Sequence, residues 1–243
     1  MASVKKHYES HLSDYYSWMY GGFELKLSEN RQFFKDHQVR PEHLGLAVDL
    51  GAGSGFQSIP LAELGFKVTA IDLSQKLLDE LKKNARGLII DPICDDLLNF
   101  ADHCAGNIEL CVCMGDTLTH LNTRQEVQSL ASRVFKTLET RGRFILTFRD
   151  LALERIELER FIPVRSDANT IFTCFLEYET DHVKVHDLIY KRTNQQWTLK
   201  KSYFRKLRLS PQWTKDILLA AGFKIELFDD HDGMVIMIAR KQM

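Results

Sequence analysis

The stretch VDLGAGSG, residues 48–55, places Gly51, Gly53 and Gly55 directly after a short apolar run. Glycines this closely spaced form a turn whose backbone can approach a nucleotide with no Cβ in the way. A dinucleotide turn has the spacing G-x-G-x-x-G. Here the third glycine comes one residue early, and Phe56 stands where that motif needs glycine. Asp49, two residues ahead of Gly51, sets a carboxylate beside the turn. That charge is awkward next to a pyrophosphate and suits a ligand with a cationic amino group. Asp72 follows 21 residues after Gly51, where a carboxylate accepts from both hydroxyls of a ribose. Each such charge-assisted bond is worth about 1.5–3 kcal/mol. Asp95 and Asp96 either meet the amino group of an adenine or cap a helix.

A second group suits an acceptor. Met114-Gly115-Asp116 ends another apolar run, and His120 lies four residues past Asp116. A carboxylate or imidazole there would act as base or orienting group for an incoming amine or hydroxyl. His120 also reads as a structural hydrogen bond at the head of the next helix. Arg149 offers a planar guanidinium to a carboxylate, or an ion pair to a neighbour such as Asp150. Cys111 and Cys113 share one side of a strand, as buried thiols, and no metal is expected.

The elements that must position these residues follow from apolar patterning. LAVDL (46–50), FKVTAID (66–72), GLII (87–90), IELCVCM (108–114) and RFILTF (143–148) read as strands of a covered parallel sheet. Between them lie helices. Thr123 and Glu126 form a capping box, and the apolar steps through Leu138 run to a stop at Arg141-Gly142. Ser210-Pro211 opens another helix that closes at Gly222. Pro60 fits the first turn of the helix after the glycine turn. TIFTCFLEYET, HVKVHDLIYKR and WTLKKSYFRKLRL read as a three-stranded antiparallel meander, and FKIELF with MVIMIARK closes the main sheet as a hairpin around residues 229–233. The expected architecture is a doubly wound, Rossmann-like α/β fold with a seven-stranded, mostly parallel sheet and an inserted antiparallel β-meander. Its parts are a helical cap (1–40), a nucleotide-binding domain (41–150 and 209–243) and the insert as a lid (151–208).

The 32 basic and 33 acidic residues balance, so no global field advertises nucleic acid. Lys191, Arg192, Lys200, Lys201, Arg205, Lys206 and Arg208 crowd the meander with Trp197, Tyr203 and Phe204 among them. The run reads as a solvated sheet face, with an RNA-binding face as the alternative. Neither a signal peptide nor a membrane span is expected, which points to the cytoplasm.

Residues 46–149, with VDLGAGSGFQSIPLAELGFKVTAIDLSQKLLDELKK at their head, resemble the class I S-adenosylmethionine-dependent methyltransferases. Together with VCMGDTLTHL (112–121) and LTFRD (146–150), the turn is similar to glycine N-methyltransferases. The resemblance implies S-adenosyl-L-methionine as cofactor, over a turn of Gly51, Ala52, Gly53 and Gly55. Asp49 would hold the methionine amino group, Asp72 the ribose, and Asp95 or Asp96 the adenine, with Leu73 and Met114 on its faces. Tyr20 matches a tyrosine that closes over the cofactor. The family's arginine for the methionine carboxylate has no clear counterpart, and Lys26 is the nearest substitute. Arg149 matches an arginine that binds the acceptor's carboxylate, while Asp116 replaces the family's asparagine. A second carboxylate beside a carboxylate substrate costs binding unless a cation lies between them. The expected catalytic group is therefore Asp116, His120 and Arg149, acting on a small amine or acid. The absence of N-P-P-Y disfavours an adenine or glutamine amide target. An RNA methyltransferase and a non-catalytic cofactor-binding module remain the alternatives, and a homodimer is left open.

Overall fold

The central apolar runs, 46–50 and 108–113, form strands buried on both faces, which is why they lack a polar alternation. The computed structural model describes residues 4–104, 106–231 and 233–242. In chain order the strands are β1 (Leu46–Leu50), β2 (Lys67–Asp72), β3 (Ile90–Cys94), β4 (Ile108–Cys113) and β5 (Leu138–Arg149). Then come β6 (Phe161–Ser166), β7 (Thr170–Tyr178), β8 (His182–Thr193) and β9 (Gln196–Leu207), and last β10 (Phe223–His231) and β11 (Met234–Lys241). Seven of them make one sheet in the order β10-β11-β5-β4-β1-β2-β3, and β6 to β9 make a separate four-stranded sheet. The pairs among β1 to β5 are parallel; β11 runs antiparallel to both β5 and β10.

Alternate residues of the large sheet feed two cores. Val48, Leu50, Cys111, Cys113, Phe144 and Leu146 pack with helices Arg124–Thr137 and Pro211–Ala220. Ala47, Val68, Ala70, Leu110, Val112 and Ile145 pack on the other face with Phe34, Leu61, Leu78 and Leu81. Cys111 and Cys113 share one side, buried and free. Thr123 and Glu126 form the capping box, worth about 1 kcal/mol. No helix among the described residues is long and apolar enough to cross a membrane.

Three boundaries differ from the sequence reading. The third strand lies at Ile90–Cys94 rather than 87–90. It contains Pro92, which looks like a turn signal, yet an edge strand tolerates a missing N–H. Helix Arg124–Thr137 passes straight into β5, and Arg141-Gly142 is a bend inside that strand, Arg141 having φ +69°. The small sheet has a fourth strand, β6, disguised by Pro163 beside a register shift on its edge.

Candidate active site

The chain reverses direction in the sheet between β1 and β4, and the loops after these two strands meet at that switch point. Gly51, Gly53 and Gly55 all have left-handed φ, +77°, +52° and +90°. A Cβ on Gly51 would lie 2.3 Å from Thr117 Cγ2, and one on Gly53 would lie 3.1 Å from the Tyr16 hydroxyl. Backbone and neighbours thus both demand glycine. Ala52 between them is buried.

Two cavities open along this edge and share Tyr16, Gly51 and Gly115. The first is walled by Ile71, Asp72, Leu73, Asp95 and Leu97, with Val4, Lys5 and Tyr8 of the N-terminal segment against it. Asp72 accepts from the Gly53 N–H at 2.9 Å and the Ser74 N–H at 2.7 Å. Burial pushes its carboxyl pKa up. Asp95 pairs with His103 at 2.8 Å, which holds it below the usual carboxylate range, and also accepts from Asn99. Asp96 accepts from the Leu98 N–H as the cap of the 3-10 helix Leu97–His103 and does not line the cavity. His120 also lines this first cavity. Its Nε2 lies 3.1 Å from the Tyr8 hydroxyl, and burial lowers its pKa to about 3. The imidazole is therefore neutral and stands away from the second cavity, where an acceptor base was expected.

Asp49 is buried beneath the turn. One oxygen accepts from the Ser58 hydroxyl at 2.6 Å; Oδ1 has no partner among the described residues. Burial pushes this carboxyl up to about 7.

Tyr20, Phe56, Met114, Asp116, Thr147 and Arg149 line the second cavity. Leu73 lines the first cavity and Met114 the second, on either side of the shared Tyr16, Gly51 and Gly115. Burial raises the Tyr20 hydroxyl to about 12, so it stays protonated. The Tyr16 ring stacks on Phe56 at 5.6 Å and 11°, and Tyr20 meets Phe56 edge-on. Lys26 reaches the same cavity, 2.7 Å from Glu29.

Asp116 holds a left-handed φ of +78°, a conformation that costs a non-glycine residue about 1–3 kcal/mol. What it gains is placement. Its Oδ1 accepts from the Arg149 N–H at 2.6 Å and its Oδ2 from Lys206 Nζ at 2.7 Å. Burial opposes ionisation here, but the Lys206 ammonium outweighs it and holds the carboxyl below its ordinary range. With both oxygens engaged, Asp116 is a poor proton acceptor. The Arg149 guanidinium is 58% exposed, its Nε 3.5 Å from Asp116 Oδ2. It pairs with Asp116 rather than Asp150.

Lys206 was hidden in the sequence among the basic residues of the meander. In that run Lys200 and Lys201 are exposed, whereas Arg205 pairs with Glu179 and Arg208 with Glu154. Only the alternation of β9, which turns Ser202, Phe204 and Lys206 to one side, hints that this lysine faces inward. Tyr16, shared by both cavities, was missed as well.

A family model described as a methyltransferase domain matches residues 47–142. The glycine/sarcosine N-methyltransferase of Aphanothece halophytica is 26% identical over 208 residues, covering 80% of this chain and 75% of that protein. A second glycine/sarcosine N-methyltransferase, from Parasynechococcus marenigrum, is 29% identical over 49% of this chain and 41% of its own length. Among solved structures, the CcbJ methyltransferase from Streptomyces caelestis superposes with a TM-score of 0.80 at 17% identity, covering 98% of this chain and 99% of that one. CalS10, an amino pentose methyltransferase from Micromonospora echinaspora with S-adenosylmethionine bound, gives 0.69 at 13% identity over 91% and 92%. The chain carries a methyltransferase domain on the fold of the S-adenosylmethionine-dependent methyltransferases.

The residues of this methyltransferase fit that cofactor. A glycine cradle that a Cβ would fill lies between the two cavities, and a buried carboxylate oxygen at Asp49 lacks a partner. An ammonium group is the partner such an oxygen lacks.

Proposed function

We propose that this methyltransferase methylates the amine of a small molecule that also carries an anionic group. The observation that carries the reading is Arg149. It is exposed at the second cavity, and its terminal nitrogens make no hydrogen bond among the described residues. A planar guanidinium so placed matches a carboxylate bidentately. The names of the relatives, glycine/sarcosine N-methyltransferases, support an amine acceptor with a carboxylate.

In this reading Asp49, Asp72 and the turn Gly51–Gly55 hold the cofactor, with Asp95 and Leu73 at the adenine and Tyr20 beside the methionine. S-adenosylmethionine supplies an activated methyl group on a sulfonium, so neither a metal nor a covalent enzyme intermediate is needed. The chain's own residues position the acceptor and exclude water. Positioning of that kind contributes up to about 7–11 kcal/mol. Among the described residues the carboxylates lining the second cavity are both engaged, Asp116 by Arg149 and Lys206 and Glu29 by Lys26, and His120 is neutral and lines the other cavity. Lys206 and Arg149 outnumber Asp116, and a net positive site disfavours an ammonium. The amine is thus taken up in its neutral, nucleophilic form, having lost its proton to solvent.

The test is methyl transfer from labelled cofactor to amino acids and to the matching amines without a carboxylate, alongside RNA. Preference for the amino acids supports the reading; equal use of the plain amines, or turnover of RNA alone, overturns it. With the cofactor saturating, so that titration of Asp49 does not limit its binding, the rate should climb with pH along the acceptor's own amine titration.

A further inference from the structure

Lys206 sits on β9, in the small sheet, yet its ammonium ends on the carboxylate that follows β4 of the large one. It is 12% exposed, and Asp116 is 11% exposed. The approach is built, because the inward face of β9 docks by three successive alternate residues. Ser202 meets His7 at 2.9 Å, and the Phe204 ring lies 4.5 Å from His7 and 5.3 Å from His120. Lys206 is the third, passing over Phe204 to reach Asp116.

Two cations compete for Asp116 Oδ2. Lys206 Nζ stands at 2.7 Å and Arg149 Nε at 3.5 Å. The nearer one takes the short hydrogen bond and leaves the guanidinium only a long contact. Without it, Asp116 would be a buried carboxylate whose remaining neighbour is Arg149, and the two would close into a direct pair. The fork would then face inward, and the local charge would fall from one net positive to neutral.

We infer that Lys206 is the specificity-determining residue of the acceptor site: it occupies Asp116 so that Arg149 stays open for an anion. This rests on the anionic-acceptor reading above. Lys206 touches neither reacting atom; it acts through Asp116, as a positioning residue. The small sheet therefore contributes a charge that selects the acceptor.

The experiment reads binding of acetate, with neutral acetamide as control, to the full chain saturated with S-adenosylhomocysteine. Wild type should bind acetate and not acetamide. Lys206→Met should weaken acetate about tenfold, the equivalent of about 1.4 kcal/mol, with S-adenosylhomocysteine affinity within twofold. The double variant Lys206→Met/Asp116→Asn should recover acetate binding to within about threefold, since an amide no longer competes for Arg149. That rescue is the outcome a merely structural lysine would not give. If Lys206→Met keeps full acetate affinity, or the double variant binds no better than the single, the inference fails while the anionic-acceptor reading stands. If wild type does not distinguish acetate from acetamide, that reading falls and takes the inference with it. Should Lys206→Met unfold, Lys206→Arg serves in its place. It retains the charge and should retain acetate binding; loss of acetate with S-adenosylhomocysteine still bound also overturns the inference.

Discussion

The side chain of Thr117 occupies the space that a Cβ on Gly51 would need, 2.3 Å from where that atom would stand. One loop follows β1 and the other β4, so the cofactor turn is shaped from across the switch point as well as by its own dihedrals. Gly51→Ala should therefore lower both stability and cofactor affinity. The left-handed backbone alone costs about 1–3 kcal/mol, roughly 2–4 °C of melting temperature per kcal/mol for a chain of this size. Thermal melts and calorimetry with S-adenosylhomocysteine check this, and Gly51→Ala/Thr117→Gly should regain part of the affinity.

Asp49 makes the empty protein sensitive to pH. Its carboxyl is pushed up to about 7 by burial, against about 3.9 in an unfolded chain. The folded state then holds a proton that the unfolded state has lost. Stability from this group is complete below about pH 4, declines as pH rises, and is gone above about pH 7. Asp49→Asn should flatten that decline in cofactor-free melts between pH 4 and 7. A decline of unchanged slope in the variant would assign it to other groups.

Arg149→Lys keeps a charge but loses the planar fork. The acceptor's KM should rise about tenfold or more, and the cofactor's dissociation constant should stay within about twofold. Equal loss of both would make Arg149 part of the scaffold, since its N–H already braces Asp116.

The large sheet was legible because its strands carry continuous apolar runs and its helices carry clear caps. The capping box at Thr123 and the Ser210-Pro211 start both stand as read. What failed locally was proline in edge strands. Pro92 and Pro163 speak of turns to a reader who does not know which strands lie outermost. That Gly51, Asp72 and Asp95 line one cavity was legible for a related reason: they sit at strand ends that topology must bring together. Lys206 was not, because its role depends on how one sheet docks on another. Nothing local in β9 distinguishes it from Lys200, which points to solvent. The engagement of Asp116 was hidden with it.

Phe56 carries a consequence for ligand selection. It stands where a dinucleotide turn requires glycine, and it is buried under Tyr16, Tyr20 and Phe23. In a dinucleotide turn the glycine at that position lets the following helix pack close against the strand. Here the corner is paved with aromatic rings before any ligand arrives. The close helix–strand packing of a dinucleotide turn is thus blocked by occupied volume, settled during folding. That block survives changes of ionic strength that would erase a purely electrostatic filter. Restoring glycine at this one position would leave a hole among three rings and not a diphosphate site.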